Sequence, residues 1–346
     1  MSTARGRITD NLEGCFRIAD YALRDSIPSR PSPLGAERCE HSQIRLCSYA
    51  GSDCKTRGAC VRITLHDKSV GFHTVNRGKT MQLGFIGTGE ITSSIVTGLC
   101  SFGTRSHSIR LSPRNATVAR ELSNRFKGIS VASSNQDVLD HSETIVVAVR
   151  PAAARAVLSE LRFGPDHQII SLVSGLSLLS LSRLVPPATR IARAVPLPST
   201  ARRLSPTAIC PADPAALDLF AELGTVFPVE TEREFDAICA TTATIASYFA
   251  FVERIASWLA QQGIPESRAR DYIGRLFFGL TTTAVEAPEH SFQSFAANHA
   301  TAGGINEQFL KHLVERGLLT SVSEALDAVL HRSNAQSQTS DARAAL

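Results

Sequence analysis

The chain has 346 residues, 43% of them hydrophobic and 20% charged, which is room for two ordinary globular domains. The formal charge of +4 sits in the first eighty residues, where thirteen Lys/Arg face eight Asp/Glu; the remainder is nearly neutral, so no nucleic-acid surface is built into the folded part. No run reaches the roughly 18 consecutive apolar residues of a membrane span and no signal-peptide core opens the chain, so the expectation is a cytoplasmic protein with no membrane partner.

Residues 1–80 differ in character from the rest of the chain. They lack sustained apolar periodicity, and Pro28–Pro33 lies in Ser/Arg/Pro-rich sequence. Cys15, Cys39, Cys47, Cys54 and Cys60 cluster there, but no paired C-x2-C knuckle is present, so no metal site is expected. The segment is expected to be an unstructured extension or a non-native upstream piece.

Folded sequence starts at Met81. A short apolar strand, Leu83 to Ile86, runs into Gly87-Thr88-Gly89, followed by an amphipathic stretch from Ile91 to Leu99. Gly87 permits a tight turn and Gly89 allows close main-chain approach to a pyrophosphate, with helix N-terminal amides from Glu90 and Ile91 directed at the anion. Thr92 stands where a third glycine is usual. Strands at Ile109–Ser112, Ile129–Ala132, Thr144–Val149 and Gln168–Val173 alternate with helices over Asn115–Phe126, near Asp137 and over Ala152–Leu161. This pattern predicts a Rossmann-type doubly wound parallel sheet.

The end of the second strand reads Ser112-Pro113-Arg114-Asn115, with no carboxylate for a ribose hydroxyl. Ser112 and Arg114 suit a 2′-phosphate, which favours NADPH over NADH. From about Glu232 strands disappear, and amphipathic stretches at 233–262, 266–287, 303–316 and 320–332 take over, broken at Gly263-Ile264-Pro265 and Ala287-Pro288. The expected organisation is a Rossmann domain at 81–231, an all-helical domain at 232–334 and a frayed tail at 335–346. Apolar faces this wide suggest burial against a second copy.

Five collinear motifs resemble the pyrroline-5-carboxylate reductase family. They are Gly84-Phe85-Ile86-Gly87-Thr88-Gly89, Ala148-Val149-Arg150-Pro151, Ile169 through Gly175, Arg193-Ala194-Val195-Pro196-Leu197-Pro198, and Ala302-Gly303-Gly304. The resemblance implies NAD(P)H-dependent reduction of 1-pyrroline-5-carboxylate to L-proline and a homodimer or larger assembly. It places Val149 and Pro151 beside the nicotinamide. It gives Gly303 and Gly304 to the carboxylate of an imino-acid substrate, and Thr301 and Asn306 to the reacting imine. The chain departs from the family where substrate is touched: Ile305 and Asn306 replace two threonines, and Leu197 replaces an asparagine. A reductase of another imine or keto acid, or a non-catalytic NADP(H) sensor, is the alternative. His299 and Tyr248 are weaker candidates near the same region.

Overall fold

The computed structural model describes residues 80–102 and 105–344, with side chains through residue 338. These residues fall in one of the chain's two units, Asp67–Leu346. The expectations for residues 1–79 lie outside them.

Eight strands form one sheet in the order β3-β2-β1-β4-β5-β6-β7-β8. Their ranges are β1 Gln82–Ile86, β2 Ser108–Leu111, β3 Ile129–Val131, β4 Thr144–Val147, β5 Gln168–Ser171, β6 Arg190–Val195, β7 Ser205–Cys210 and β8 Gly224–Pro228. The first six run parallel, in the order of a dinucleotide-binding sheet. β7 turns antiparallel to β6, and β8 runs parallel to β7.

β4 and β5 are buried along their whole length, because helices cover both faces of a parallel sheet. Alternation divides the core: Leu83, Phe85, Val146 and Ile170 pack on one side with Leu99 and Phe220, and Ile86, Ile145, Val147 and Ile169 on the other with Leu158. The covering helices are α1 Glu90–Phe102, α2 Ala116–Arg125, α3 Asn135–Asp140, α4 Pro151–Ser159, α5 Leu178–Leu184 and α6 Pro214–Ala221. Short polar residues start four of them. Asn115, Ser134, Ser177 and Asp213 each accept a first-turn amide hydrogen bond.

After β8 only helices occur among the described residues: α7 Glu232–Thr241, α8 Thr244–Gln261, α9 Glu266–Glu286, α10 Phe292–His299, α11 Ile305–Glu315 and α12 Leu318–Ala344. α7 opens with a capping box between Thr231 and Glu234. One expectation needs correction. The tail expected to fray from residue 335 continues as helix to Ala344. It carries no glycine or proline to stop it, and α12 packs against α7 and α5, bringing Gln336 to Gly175. Glu232–Gln261 is long and apolar enough to cross a membrane by length and composition alone, at mean hydropathy 1.4, though charged residues interrupt it. Glu253 and Arg254, however, sit mid-way along α8, where each would cost about 2.5–3.5 kcal/mol at a bilayer centre.

A buried polar cluster ties the front of the sheet to α6. The Met81 amide donates to His107 Nδ1 (3.3 Å), which leaves the ring proton on Nε2 to donate to Glu222 (3.0 Å). Arg105 reaches both Glu222 and Asp218. Burial pushes the Glu222 carboxyl up, but the His107 hydrogen bond and the neighbouring positive charge outweigh it and hold the group below its usual 4.5. A folded value below the unfolded one contributes stability in full above the ordinary carboxylate range, and that stability is lost as pH falls through the lower folded value. Urea unfolding of wild type and Glu222→Gln should therefore differ most at neutral pH and converge in acid; a constant gap would contradict this.

Candidate active site

The direction of sheet assembly reverses between β1 and β4, and their C-terminal ends form the edge where α/β folds bind ligands. Gly87 leaves β1 there at φ +101°, a backbone state L side chains rarely adopt. A Cβ at Gly87 would stand 2.5 Å from the Ala148 carbonyl oxygen and 3.0 Å from the Val149 amide nitrogen, so glycine is what lets the turn pass β4. Gly89 is different. Its carbonyl accepts the first hydrogen bond of α1 from the Ser93 amide (3.0 Å), and a Cβ there would meet no protein atom. Space above Gly89 and the first turn of α1 is open to an incoming group.

Three hydroxyls brace the turn. Ser112 Oγ accepts the Gly87 amide (2.9 Å), Thr88 Oγ1 donates to the Ser112 carbonyl (2.8 Å), and the two hydroxyls lie 3.1 Å apart. Thr92 Oγ1 donates to the Gly87 carbonyl (2.7 Å), so the residue in place of the third glycine fastens the loop from below. Ser112 is 1% exposed. The expectation that its hydroxyl holds a 2′-phosphate is corrected: the hydroxyl points inward and positions the loop. At this strand end Arg114 is exposed, and Asn115 caps α2.

Val149 is half-buried beside Gly87, and Pro151 is exposed at the first position of α4, next to Arg150. The structure thus brings together Gly87, Thr88, Gly89, Ser112, Ala148 and Val149. The residues 301–306 lie apart, and among the described residues no hydrogen bond joins them to the glycine loop.

Those residues form an exposed turn that caps α11. Gly303 has φ +73°, and Gly304 is the residue before the helix. Both glycine amides already have partners within the chain. Gly303 donates to Glu307 Oε2 (2.7 Å) and Gly304 to the Thr301 carbonyl (2.8 Å). The two amides that the family resemblance gives to a substrate carboxylate are thus engaged within the chain. His299 donates from Nδ1 to the Phe295 carbonyl (2.8 Å), turned back on its own helix. Tyr248 packs edge-on against Phe277, with ring centres 6.2 Å apart.

Two further features bear on chemistry. A cleft of about 660 Å³ at the elbow of α8 and α9, lined by Glu253, Ser257, Pro265 and Arg270, contains none of these residues. Burial raises the thiols of Cys100, Cys210 and Cys239, the last to about 12, so none is poised as a nucleophile.

Residues 82–175 match the family model described as NADP oxidoreductase, coenzyme F420-dependent, and residues 232–336 match that for pyrroline-5-carboxylate reductase dimerisation. Pyrroline-5-carboxylate reductase 3 of Xenopus laevis is 25% identical over 268 residues, spanning 73% of this chain and 95% of its own length. The pyrroline-5-carboxylate reductase of Escherichia coli K12 is also 25% identical over 268 residues, spanning 75% and 99%. The chain is a divergent member of the pyrroline-5-carboxylate reductase family. Membership places it among the NAD(P)-dependent oxidoreductases. The fold agrees with solved reductases: the Streptococcus pyogenes enzyme has TM-score 0.66 at 24% identity, covering 74% of this chain and 99% of that one. The Plasmodium falciparum pyrroline carboxylate reductase with NADP bound has TM-score 0.64 at 21% identity, covering 74% and 98%.

Some residue roles in this pyrroline-5-carboxylate reductase family member were not legible in its sequence. Ser112 and Thr92 as loop braces were legible only as small polar residues near a glycine turn. Glu307 carried the signal of an acid in the first turn of a helix, which ordinarily reads as a cap.

Proposed function

We propose that this protein reduces the carbon–nitrogen double bond of a cyclic imine with a reduced nicotinamide nucleotide, 1-pyrroline-5-carboxylate to L-proline being the first pair to test. The observation that carries the reading is the glycine turn at the sheet's reversal point. Gly87 fits only as glycine, and Gly89 leaves its outer side clear of the protein's own atoms. That arrangement suits a diphosphate held by main-chain amides of Gly89, Glu90 and Ile91 at the start of α1. Val149 and Pro151 would flank the nicotinamide, and Thr88 holds the loop from inside.

When bound, the reduced nicotinamide supplies hydride to the imine carbon. The double-bond electrons then pass to a nitrogen that already carries its proton. The side chains have little bond-making to do: they position, exclude water and hydrogen-bond the ring nitrogen. Asn306 offers an amide and Thr301 a hydroxyl for that task; Ile305 offers neither. The division of labour falls near residue 231, with the sheet holding cofactor and the helices holding substrate.

Self-association belongs to this reading. Trp258, Tyr272, Phe278 and Phe292 are between 57% and 83% exposed in the single chain, far more apolar surface than monomers tolerate, and they lie within the segment matching the dimerisation model. A homodimer or larger assembly would cover them.

The decisive assay is NADPH oxidation in the presence of 1-pyrroline-5-carboxylate and other cyclic imines; saturable NADPH binding without turnover of any imine would leave a sensor. A second reading, another imine as the natural substrate, is favoured by the engaged glycine amides of residues 303 and 304. We further propose NADPH as the preferred donor, on the exposed Arg114 and the missing carboxylate at that strand end. Arg114→Glu should raise the KM for NADPH about tenfold and leave that for NADH nearly unchanged; equal effects on both would remove the preference.

A further inference from the structure

The glycine turn before α11 is the part of the chain where the hydrogen bonding and the expected chemistry diverge. A turn of this kind binds an anion because its amides point outward without an internal acceptor. Here an acceptor is built in. Glu307, in the first turn of α11, folds back so that Oε2 accepts the Gly303 amide at 2.7 Å. The neighbouring Gly304 amide is taken by the Thr301 carbonyl at 2.8 Å. The place for a carboxylate is filled by one that belongs to the protein. An incoming carboxylate would have to break a charge-assisted hydrogen bond and then lie beside the anion it displaced.

Two neighbours act in the same direction. Ile305 is 83% exposed at the lip of the turn and presents an apolar surface where a hydroxyl would have assisted an anion. No Lys or Arg lies between residues 299 and 310 to neutralise a second carboxylate, and Glu307 is the one acidic residue in that stretch.

We propose that Glu307 is the specificity-determining residue of this site, and that it tunes the enzyme toward cyclic imines without a carboxylate. The protonated imine is a cation, and an anion fixed at the turn attracts it while repelling the carboxylated analogue. The inference rests on the reading of residues 301–306 as the substrate turn.

The experiment is steady-state kinetics of the full-length protein with NADPH, using two probes, 1-pyrroline and 1-pyrroline-5-carboxylate, in wild type, Glu307→Gln and Glu307→Ala. Wild type should show the higher kcat/KM for 1-pyrroline. Glu307→Ala, which frees the amide and removes the charge, should shift the KM ratio of the two probes about tenfold toward the carboxylated imine. Glu307→Gln keeps an acceptor for the Gly303 amide but loses the charge, and should move the ratio part of the way. L-Proline should bind the NADP-loaded alanine variant correspondingly more tightly than wild type.

A ratio that stays fixed in both variants, or a wild type that prefers the carboxylated imine, would overturn the role of Glu307 while leaving imine reduction standing. If wild type binds NADPH but reduces neither probe, the reading of the turn as an imine site falls and this inference falls with it. NADPH titration of each variant checks that a fixed ratio does not come from a misfolded protein.

Discussion

Gly89→Val is expected to leave the protein folded and to weaken NADPH binding roughly a hundredfold. The position separates stability from function because a Cβ at residue 89 would have open space around it, so the cost falls on whatever approaches from outside. Gly87→Val, two residues earlier, should fail differently. It combines a positive φ with a Cβ 2.5 Å from the Ala148 carbonyl, and should lose both binding and stability. Thermal unfolding together with calorimetric NADPH titration of the two variants distinguishes the cases. A Gly89→Val protein that bound NADPH like wild type would show that the open side of the turn is not where the diphosphate sits.

The second large effect is expected at Arg193. This residue of β6 is 2% exposed, donates to Glu232 (2.7 Å) and Asp236 (2.8 Å) on α7, and stacks 4.5 Å from the centre of the Phe235 ring. Glu232 also accepts the Leu178 amide at the start of α5, at 2.9 Å, so one guanidinium ties the sheet, α5 and the first of the C-terminal helices together. Arg193→Ala leaves Asp236 largely buried without its counter-charge, a change that costs about 3 kcal/mol or more. In a domain of this size that lowers Tm by roughly 6–12 °C. Arg193→Lys should recover only part of the loss, since an ammonium cannot span both carboxylates. A shift of less than about 2 °C for Arg193→Ala would show that the helices are held to the sheet mainly by apolar packing.

The glycine loop and the parallel strands were legible because each depends on short-range rules. A glycine turn between an apolar strand and a helix has few other meanings, and buried strands such as Thr144–Val147 read as apolar runs bounded by turns. What escaped the sequence was relational. Ser112 and Arg114 lie two residues apart on one strand end, and only the burial of Ser112 shows that its hydroxyl serves the loop. The antiparallel β7 comes after the 3-10 turn Pro198–Arg202, whose closing residue Arg203 takes φ +59°, and nothing in its composition tells parallel from antiparallel. The helix beyond residue 335 was missed because Ser, Gln and Thr look like tail, whereas docking onto α7 and α5 decides the matter. At the substrate turn the glycine pair was readable, but the fold-back of Glu307 onto Gly303 was not.

Cofactor binding, imine reduction and the role of Glu307 all depend on a nicotinamide nucleotide seated at the turn after β1. Calorimetric titration of the purified protein with NADPH tests it directly. One saturable site per chain, competed by NADP and lost in Gly89→Val, is the predicted result; no saturable uptake of either NADPH or NADH would contradict it.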